Sequence, residues 1–401
     1  MPRRSPPPSA SITKLLRSLV DTPSRAGEDP LGPVLTRIEA WFDERGLPHR
    51  RLCAADGTPL GLHAEVVGRA PLPRGAKRPF YLLNATLDTA AFGDRATWRH
   101  RPDRARVQGG WLYGRGAADS KGGAAIFAHL FAAFAARPEA CAGRLGLLFD
   151  LEEHSGSFAG ARRYFEAAPA PRPDGVLIGY PGIDRLIVGS RGFLRAHIVV
   201  PGVAAHSGGS TQRGVNAVLR AARLVEALHA AKLPKAAPAG SGFDRPPQLT
   251  VTSLHGGQGY TQVPDRCELT VDLRLTPRFD DAAARALVEG VVDRLDRAHE
   301  PALASRIDWQ PGWPPYRVDE AHPMLRAMRE AALQTLGQDL PRAVAGPSNI
   351  GNYLAARGIP ALCGFGVRAR NLHAADECME LATIAPVYLT YETALQRLLG
   401  G

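Results

Sequence analysis

Five short stretches of this chain carry side chains suited to hydrolytic chemistry: LDT at 87–89, GRGAADSKGG at 114–123, LEEHSGS at 151–157, AAHSG at 204–208 and NLHAADE at 371–377. A hydrolytic metal centre needs hard carboxylates and imidazoles converging from several chain segments, with one position left open for water. It also needs a nearby carboxylate, not bound to metal, that takes the proton from that water. The adjacent acids Glu152 and Glu153 can supply both functions. At a strand end neighbouring side chains point oppositely, so one can bind metal while the other faces the water. Taken singly, each stretch also has a plainer reading. Paired acids at a strand end are commonly a solvated edge, and an isolated histidine such as His373 is commonly structural. GRGAADSKGG can be a glycine-rich turn before a helix. It is not a phosphate loop, because the GxxxxGK[ST] spacing is absent.

The elements that must position these residues are readable. Ile12, Leu15, Leu16 and Leu19 have helical spacing up to the stop at Pro23. PLGPVLTRIEAWFDERG follows as a second amphipathic helix with Gly46 at its end. Short apolar runs then alternate with helical stretches: RPFYLLNATLD, the helix GGAAIFAHLFAAFAA, GRLGLLFDLEE and DGVLIGYP. This rhythm predicts a mainly parallel sheet of the α/β class. Ligands of such sheets bind outside the carboxyl ends of the strands, where Asp88, Glu152 and Glu153 fall. From Gly192 the pattern becomes strand, helix, strand, strand, helix, which predicts an inserted ferredoxin-like α+β layer. The α/β rhythm returns after about residue 305 with AHPMLRAMREAALQTLG, PALCGFG and a last helix near Leu399. The expected boundaries are a disordered tail at 1–10, the larger domain at 11–191 and 305–401, and the inserted layer at 192–304. The sequence has no internal repeat.

The bulk composition narrows the function class. The 401 residues are 45% hydrophobic and 22% charged, the composition of a globular chain too long for one ordinary core. No apolar run approaches the roughly 20 residues of a membrane span. MPRRSPPPSA has no apolar stretch behind it and does not read as a signal peptide. The expected location is the cytoplasm, without a membrane partner. The five cysteines are far apart and form no CxxC pair, which predicts reduced thiols. The net charge of +10 comes from arginines dispersed among Ala, Gly and Pro, with no Lys/Arg block and no aromatic stripe, so no nucleic-acid partner is expected.

In order and spacing the five stretches together resemble the di-zinc aminoacylases and exopeptidases: carboxypeptidase G, succinyl-diaminopimelate desuccinylase, acetylornithine deacetylase and aminoacylase. The resemblance runs from LLRSLVDTPS to the last helix. It implies a zinc-exopeptidase-like catalytic domain with an inserted lid that dimerises. It implies that Asp119 is the carboxylate bridging two zinc ions, Glu152 the general base, and Glu153 and His373 the other ligands of one zinc. Asp88 would orient a metal-ligand side chain two residues earlier. His206 would reach the site of a partner subunit and polarise the scissile carbonyl. Arg274 in DLR would hold the substrate carboxylate, a task that suits a bidentate guanidinium.

Two positions depart from that family's pattern. Thr86 stands where a histidine ligand is usual, and Tyr180 stands where an acidic ligand precedes proline. In the family both lost ligands serve the same zinc, while the set Asp119, Glu153 and His373 is complete. An Asn common in the lid is also replaced, by Thr261. The expectation is a redesigned site holding one Zn2+ per chain, with Co2+, Mn2+ or no metal as alternatives. The Thr86 and Tyr180 hydroxyls are expected to fill the second site and hydrogen-bond Asp119. His154 or His100 is the alternative, as a substitute ligand. The expected function is hydrolysis of an amide in a small N-acyl amino acid or dipeptide-like substrate with a free carboxylate, by a homodimer. Two alternatives stay open: a metal-independent acid–base enzyme performing acyl transfer, cyclisation or isomerisation, and a non-catalytic binding protein.

Overall fold

A computed structural model describes residues 6–169, 171–209, 214–238 and 240–400. The chain forms two compact units. One comprises the chain up to Gly189, Arg317–Ala343 and Asn349 to the C-terminal end; the other comprises Ser190–Tyr316 and Val344–Ser348. The helix Ser9–Val20 starts inside the stretch expected as a tail, of which residues 1–5 lie outside the described residues. It buries Ile12, Leu15, Leu16 and Leu19, the stripe that its spacing predicts.

The first unit is built on a six-stranded sheet. In spatial order its strands are His49–Cys53, Pro59–Val67, Arg144–Asp150, Phe80–Thr86, Gly175–Ile178 and Ala361–Leu362. The last four are mutually parallel, as the alternating pattern predicts, and the first two add an antiparallel edge. Every residue of Phe80–Thr86 is buried, as an inner strand covered on both faces requires. The helix Lys121–Ala135 is buried from Lys121 to Phe131 at all but one position. Its first turn lies so close to the end of Gly175–Ile178 that a Cβ on Gly123 would fall 2.0 Å from the carbonyl oxygen of Gly179. Only glycine permits that approach.

A second, small sheet of this unit has the spatial order Ala369–Arg370, Cys378–Glu380, Trp111–Tyr113, Arg106–Gln108. It pairs Cys378 with Tyr113 and Glu380 with Trp111. The loops 371–377 and 114–120 therefore leave the sheet side by side.

The other unit is a four-stranded antiparallel sheet ordered Gln248–Gly256, Arg266–Leu275, Gly192–Pro201, Arg306–Trp313. Helices Ala217–His229 and Asp281–His299 cover one face, sealing Leu194, Ile198, Leu269, Val271 and Leu273. This is the ferredoxin-like layer that the order of elements predicts. It extends to Tyr316 and not to the expected 304, because Arg306–Trp313 pairs with Gly192–Pro201 as a fourth strand.

Among the described residues no disulfide joins any two of the five cysteines. Among the described residues no helix is long and apolar enough to cross a membrane.

Candidate metal centre

Three loops meet because three strands end in register. Thr86 lies opposite Asp150, and Asn84 lies opposite Ile178, so residues 87–89, 151–158 and 179–181 emerge at one edge of the sheet. Asp88 is fully buried and accepts four hydrogen bonds. They come from the Thr86 hydroxyl, from the backbone N–H groups of Glu153 (3.2 Å) and His154 (3.0 Å), and from His154 Nδ1 (3.2 Å).

Glu152 and Glu153 lie past the strand and not on it. The strand stops at Asp150, and Glu152 has φ 67° in the turn that follows. The divergence of the two acids is therefore set by a left-handed turn and not by strand alternation. Phe158 N–H and the hydroxyls of Ser155 and Ser157 all donate to the Glu152 carbonyl and hold that turn. The Glu152 side chain is half-buried, and its carboxylate makes no hydrogen bond or ion pair among the described residues.

The small sheet brings His373 to Asp119 across 254 residues of sequence, with Nε2 and Oδ2 3.0 Å apart. His373, Asn371 and Asp376 all have positive φ, so their loop is a sequence of tight turns. Asp376 anchors it by accepting from the backbone N–H groups of Arg99 and His100. Beneath it Glu377 accepts from the N–H groups of Ala118 and Asp119 and pairs with Arg115 Nη1 at 2.7 Å.

The donors that converge are Asp119, His154 and His373, whose candidate ligand atoms all lie within 4.8 Å of one another. One carboxylate and two imidazoles at that spacing fit a divalent first-row ion such as zinc. The rings of His154 and His373 are 5.2 Å apart. Of the two substitute histidines considered, His154 joins the cluster. His100 packs on Tyr113, with ring centres 4.3 Å apart. Glu153 is engaged elsewhere: its Oε1 accepts the Tyr180 hydroxyl at 2.6 Å, and its Oε2 is 3.5 Å from His154. The expectation that Thr86 and Tyr180 hydrogen-bond Asp119 is corrected here. Thr86 is a short side chain two residues from Asp88 and bonds that acid, while the longer Tyr180 reaches Glu153.

The charges of the metal-free centre follow from this packing. Burial lifts the Glu153 carboxyl to about 7, opposed by the charge of His154 and reinforced by that of Asp119. Burial works against a charged His154, yet its hydrogen bond to Asp88 and the surrounding carboxylates raise it to about 9. Burial likewise works against the Asp88 and Asp119 carboxylates. Hydrogen bonds with His154 and with His373, respectively, leave both below the usual range.

Two further expected residues belong to the other unit. His206 is exposed, and its Nδ1 accepts from Gly208 N–H at 3.1 Å. Next to it Ser207 N–H donates to the carbonyl of Thr261. Arg274 is half-buried on the uncovered sheet face and donates to Asp272 at 2.8 Å. It lines a groove of about 850 Å³ together with Arg191, Arg195, Arg245 and His197. Arginines dispersed in sequence are thus gathered here in space.

Sequence reasoning quoted Arg115 and Glu377 within its motifs but gave them no role. The available signal was an acid next to Asp376 in a loop that must approach a buried arginine.

Comparison with known proteins agrees with this architecture. The chain is 26% identical over 399 residues to a succinyl-diaminopimelate desuccinylase of Halorhodospira halophila, covering 98% of this chain and 99% of that one. It is 28% identical over 336 residues to the enzyme of the same name from Alkalilimnicola ehrlichii, covering 82% and 86%. Its fold matches an M20 family metallo-carboxypeptidase from Sulfolobus solfataricus with a TM-score of 0.78 at 18% identity, covering 97% and 99%. The family model for peptidases M20/M25/M40 matches residues 82–397, from the strand before Asp88 to the last helix. The chain accordingly belongs to peptidase family M20/M25/M40, whose characterised relatives here are amide-bond hydrolases of the metallopeptidase and deacylase type.

Proposed function

We propose that this chain is an amidohydrolase that cleaves a small N-acyl amino acid or dipeptide-like substrate bearing a free carboxylate, with one divalent metal ion per chain. The observation that carries the reading is the meeting of Asp119 and His373 with His154, two residues after Glu152, whose carboxylate is unengaged among the described residues. The hydroxyls of Thr86 and Tyr180 stand where the resemblance places the ligands of a second metal. Both are committed to neighbouring carboxylates, which supports a single ion.

A bound zinc would supply Lewis acidity, polarising the amide carbonyl and making a water more acidic. Asp119 and His373 would hold it. Glu152 takes one proton from the attacking water as its oxygen bonds to the amide carbon. Glu152 then delivers that proton to the nitrogen as the C–N bond breaks, so water is consumed and a carboxylic acid and an amine are released, the acid then losing its proton to solvent. The turn held by Ser155 and Ser157 fixes the backbone from which that carboxylate projects. His206 would stabilise the oxyanion in a homodimer, and Arg274 in its arginine-lined groove would bind the substrate carboxylate. We place the enzyme in the cytoplasm because no disulfide joins its five cysteines among the described residues.

The test is Glu152→Ala assayed on a panel of N-acyl amino acids and dipeptides. Because that carboxylate is unengaged, the variant should keep its stability within about 0.5 kcal/mol. It should lose about 10²- to 10⁴-fold in kcat. Retained turnover would remove this mechanism. Turnover that survives a strong chelator would favour metal-independent acid–base chemistry at the same site.

A further inference from the structure

We propose that His154 is a metal ligand of this chain, held in its ligating tautomer by Asp88, and that Glu153 stands outside the coordination set. The inference rests on the reading that the centre takes a metal, and it assigns which side chains hold it.

Three observations carry it. His154 is one of only three described residues whose donor atoms converge within 4.8 Å at this site, the others being Asp119 and His373. Its Nδ1 lies 3.2 Å from Asp88 Oδ2. Once its second proton is given up on binding, an imidazole whose one N–H is held by a carboxylate presents the lone pair of its other nitrogen, which is the arrangement that orients and strengthens a ligating imidazole. Asp88 is itself fixed for that task, being wholly buried and held by the Thr86 hydroxyl and two backbone N–H groups. Lastly, Glu153 lies outside the convergent set, its Oε1 accepting from Tyr180 and its Oε2 3.5 Å from His154 Nδ1. Among the described residues His154 Nε2 carries no hydrogen bond, whereas Glu153 is already tied to Tyr180 at 2.6 Å.

Two imidazoles and one carboxylate form a three-ligand set that leaves a coordination position open, as catalytic zinc sites do. The competing account is that His154 is a counter-ion for the surrounding acids, with no part in binding metal.

The test titrates Zn2+ and Co2+ calorimetrically into the full chain, stripped by chelator and dialysed. The parent is compared with His154→Gln, Glu153→Gln and Asp88→Asn. The parent should take one ion. His154→Gln should weaken binding at least 100-fold, Asp88→Asn about 10- to 100-fold, and Glu153→Gln no more than about 3-fold. Should His154→Gln fail to fold, the Co2+-loaded parent still decides. Its paramagnetically shifted proton spectrum should contain exchangeable N–H signals from two ligated imidazoles, and a single such signal overturns the assignment. If His154→Gln keeps parental affinity while Glu153→Gln loses it, the ligand is Glu153 and the one-metal hydrolase reading survives. A parent that binds neither ion overturns both.

Discussion

Replacing Arg115 by alanine should destabilise the first unit by about 3–5 kcal/mol, the range for stripping one partner from a buried ion pair. Arg115 is 2% exposed and Glu377 0%, and the pair meets at 2.7 Å. Among the described residues Nε and Nη2 of Arg115 have no hydrogen-bond partner, and the guanidinium meets one carboxylate and the Trp98 ring 5.0 Å away. Removing it leaves the buried Glu377 carboxylate with the charge of Lys121 and, among the described residues, two backbone N–H groups. Those are the N–H groups of Ala118 and Asp119, so the perturbation reaches the metal-binding loop directly. The assay is urea denaturation of Arg115→Ala, Glu377→Gln and the Arg115→Ala/Glu377→Gln pair. The paired variant removes both charges while an amide oxygen still serves the two N–H groups. Its loss should fall short of the sum of the single losses, with a coupling of about 1–3 kcal/mol. A loss below about 1 kcal/mol for Arg115→Ala, or strict additivity, would refute the assignment of the pair as the support under Asp119.

Two other outcomes are open to direct measurement. Gly123→Ala improves helix propensity by about 1 kcal/mol, but its Cβ would meet Gly179 backbone atoms at 2.0–2.9 Å. The variant should therefore lose net stability by about 1–3 kcal/mol, and a urea midpoint at or above the parent's would contradict the packing. His129 is buried and lowered to about 4, with Nδ1 on the Ala125 carbonyl and Nε2 on the Ser11 hydroxyl. The unfolded chain binds its proton near 6.5, so the stability it confers is present above that pH and lost down to about 4. Glu153 and Asp150, raised by burial, pull the other way, so the readout is a difference. His129→Gln should gain on the parent by about 1.4 kcal/mol per pH unit of acidification across that window. Parallel curves would exclude the titration.

Much of the fold was legible because periodicity reports burial. The stripe Ile12, Leu15, Leu16, Leu19 and the apolar runs before Asp88 and Asp150 take the elements they predict. The lid's fourth strand was missed because Pro311 and Gly312 interrupt it. The structure absorbs them in a register shift between Gln310 and Trp313, where a bulge needs no ladder hydrogen bond. At the site, motif order pointed to the loops that carry Asp88, Asp119, Glu153 and His373. What it could not supply was direction. A left-handed turn at a glutamate carries no sequence signature, and the partners of Thr86, Glu153 and Tyr180 depend on side-chain reach across loops from separate strands. His154 had a signal of one kind: Asp88 persists without its usual imidazole two residues earlier and finds one from another loop.

The small sheet that joins Trp111–Tyr113 to Cys378–Glu380 also sets when the centre can exist. Asp119 leaves the ribosome 254 residues ahead of His373. At about 5–20 residues per second this is a delay of about 13–50 s. During that interval the strand Trp111–Tyr113 has Arg106–Gln108 beside it but lacks Cys378–Glu380, Asp119 lacks the Glu377 carboxylate beneath it, and the donor set is incomplete. Closing so long a loop is also a slow, high-contact-order event. Metal capture thus belongs to the end of folding, after the last segment of the chain has docked, and a nascent or C-terminally truncated chain has no centre to load.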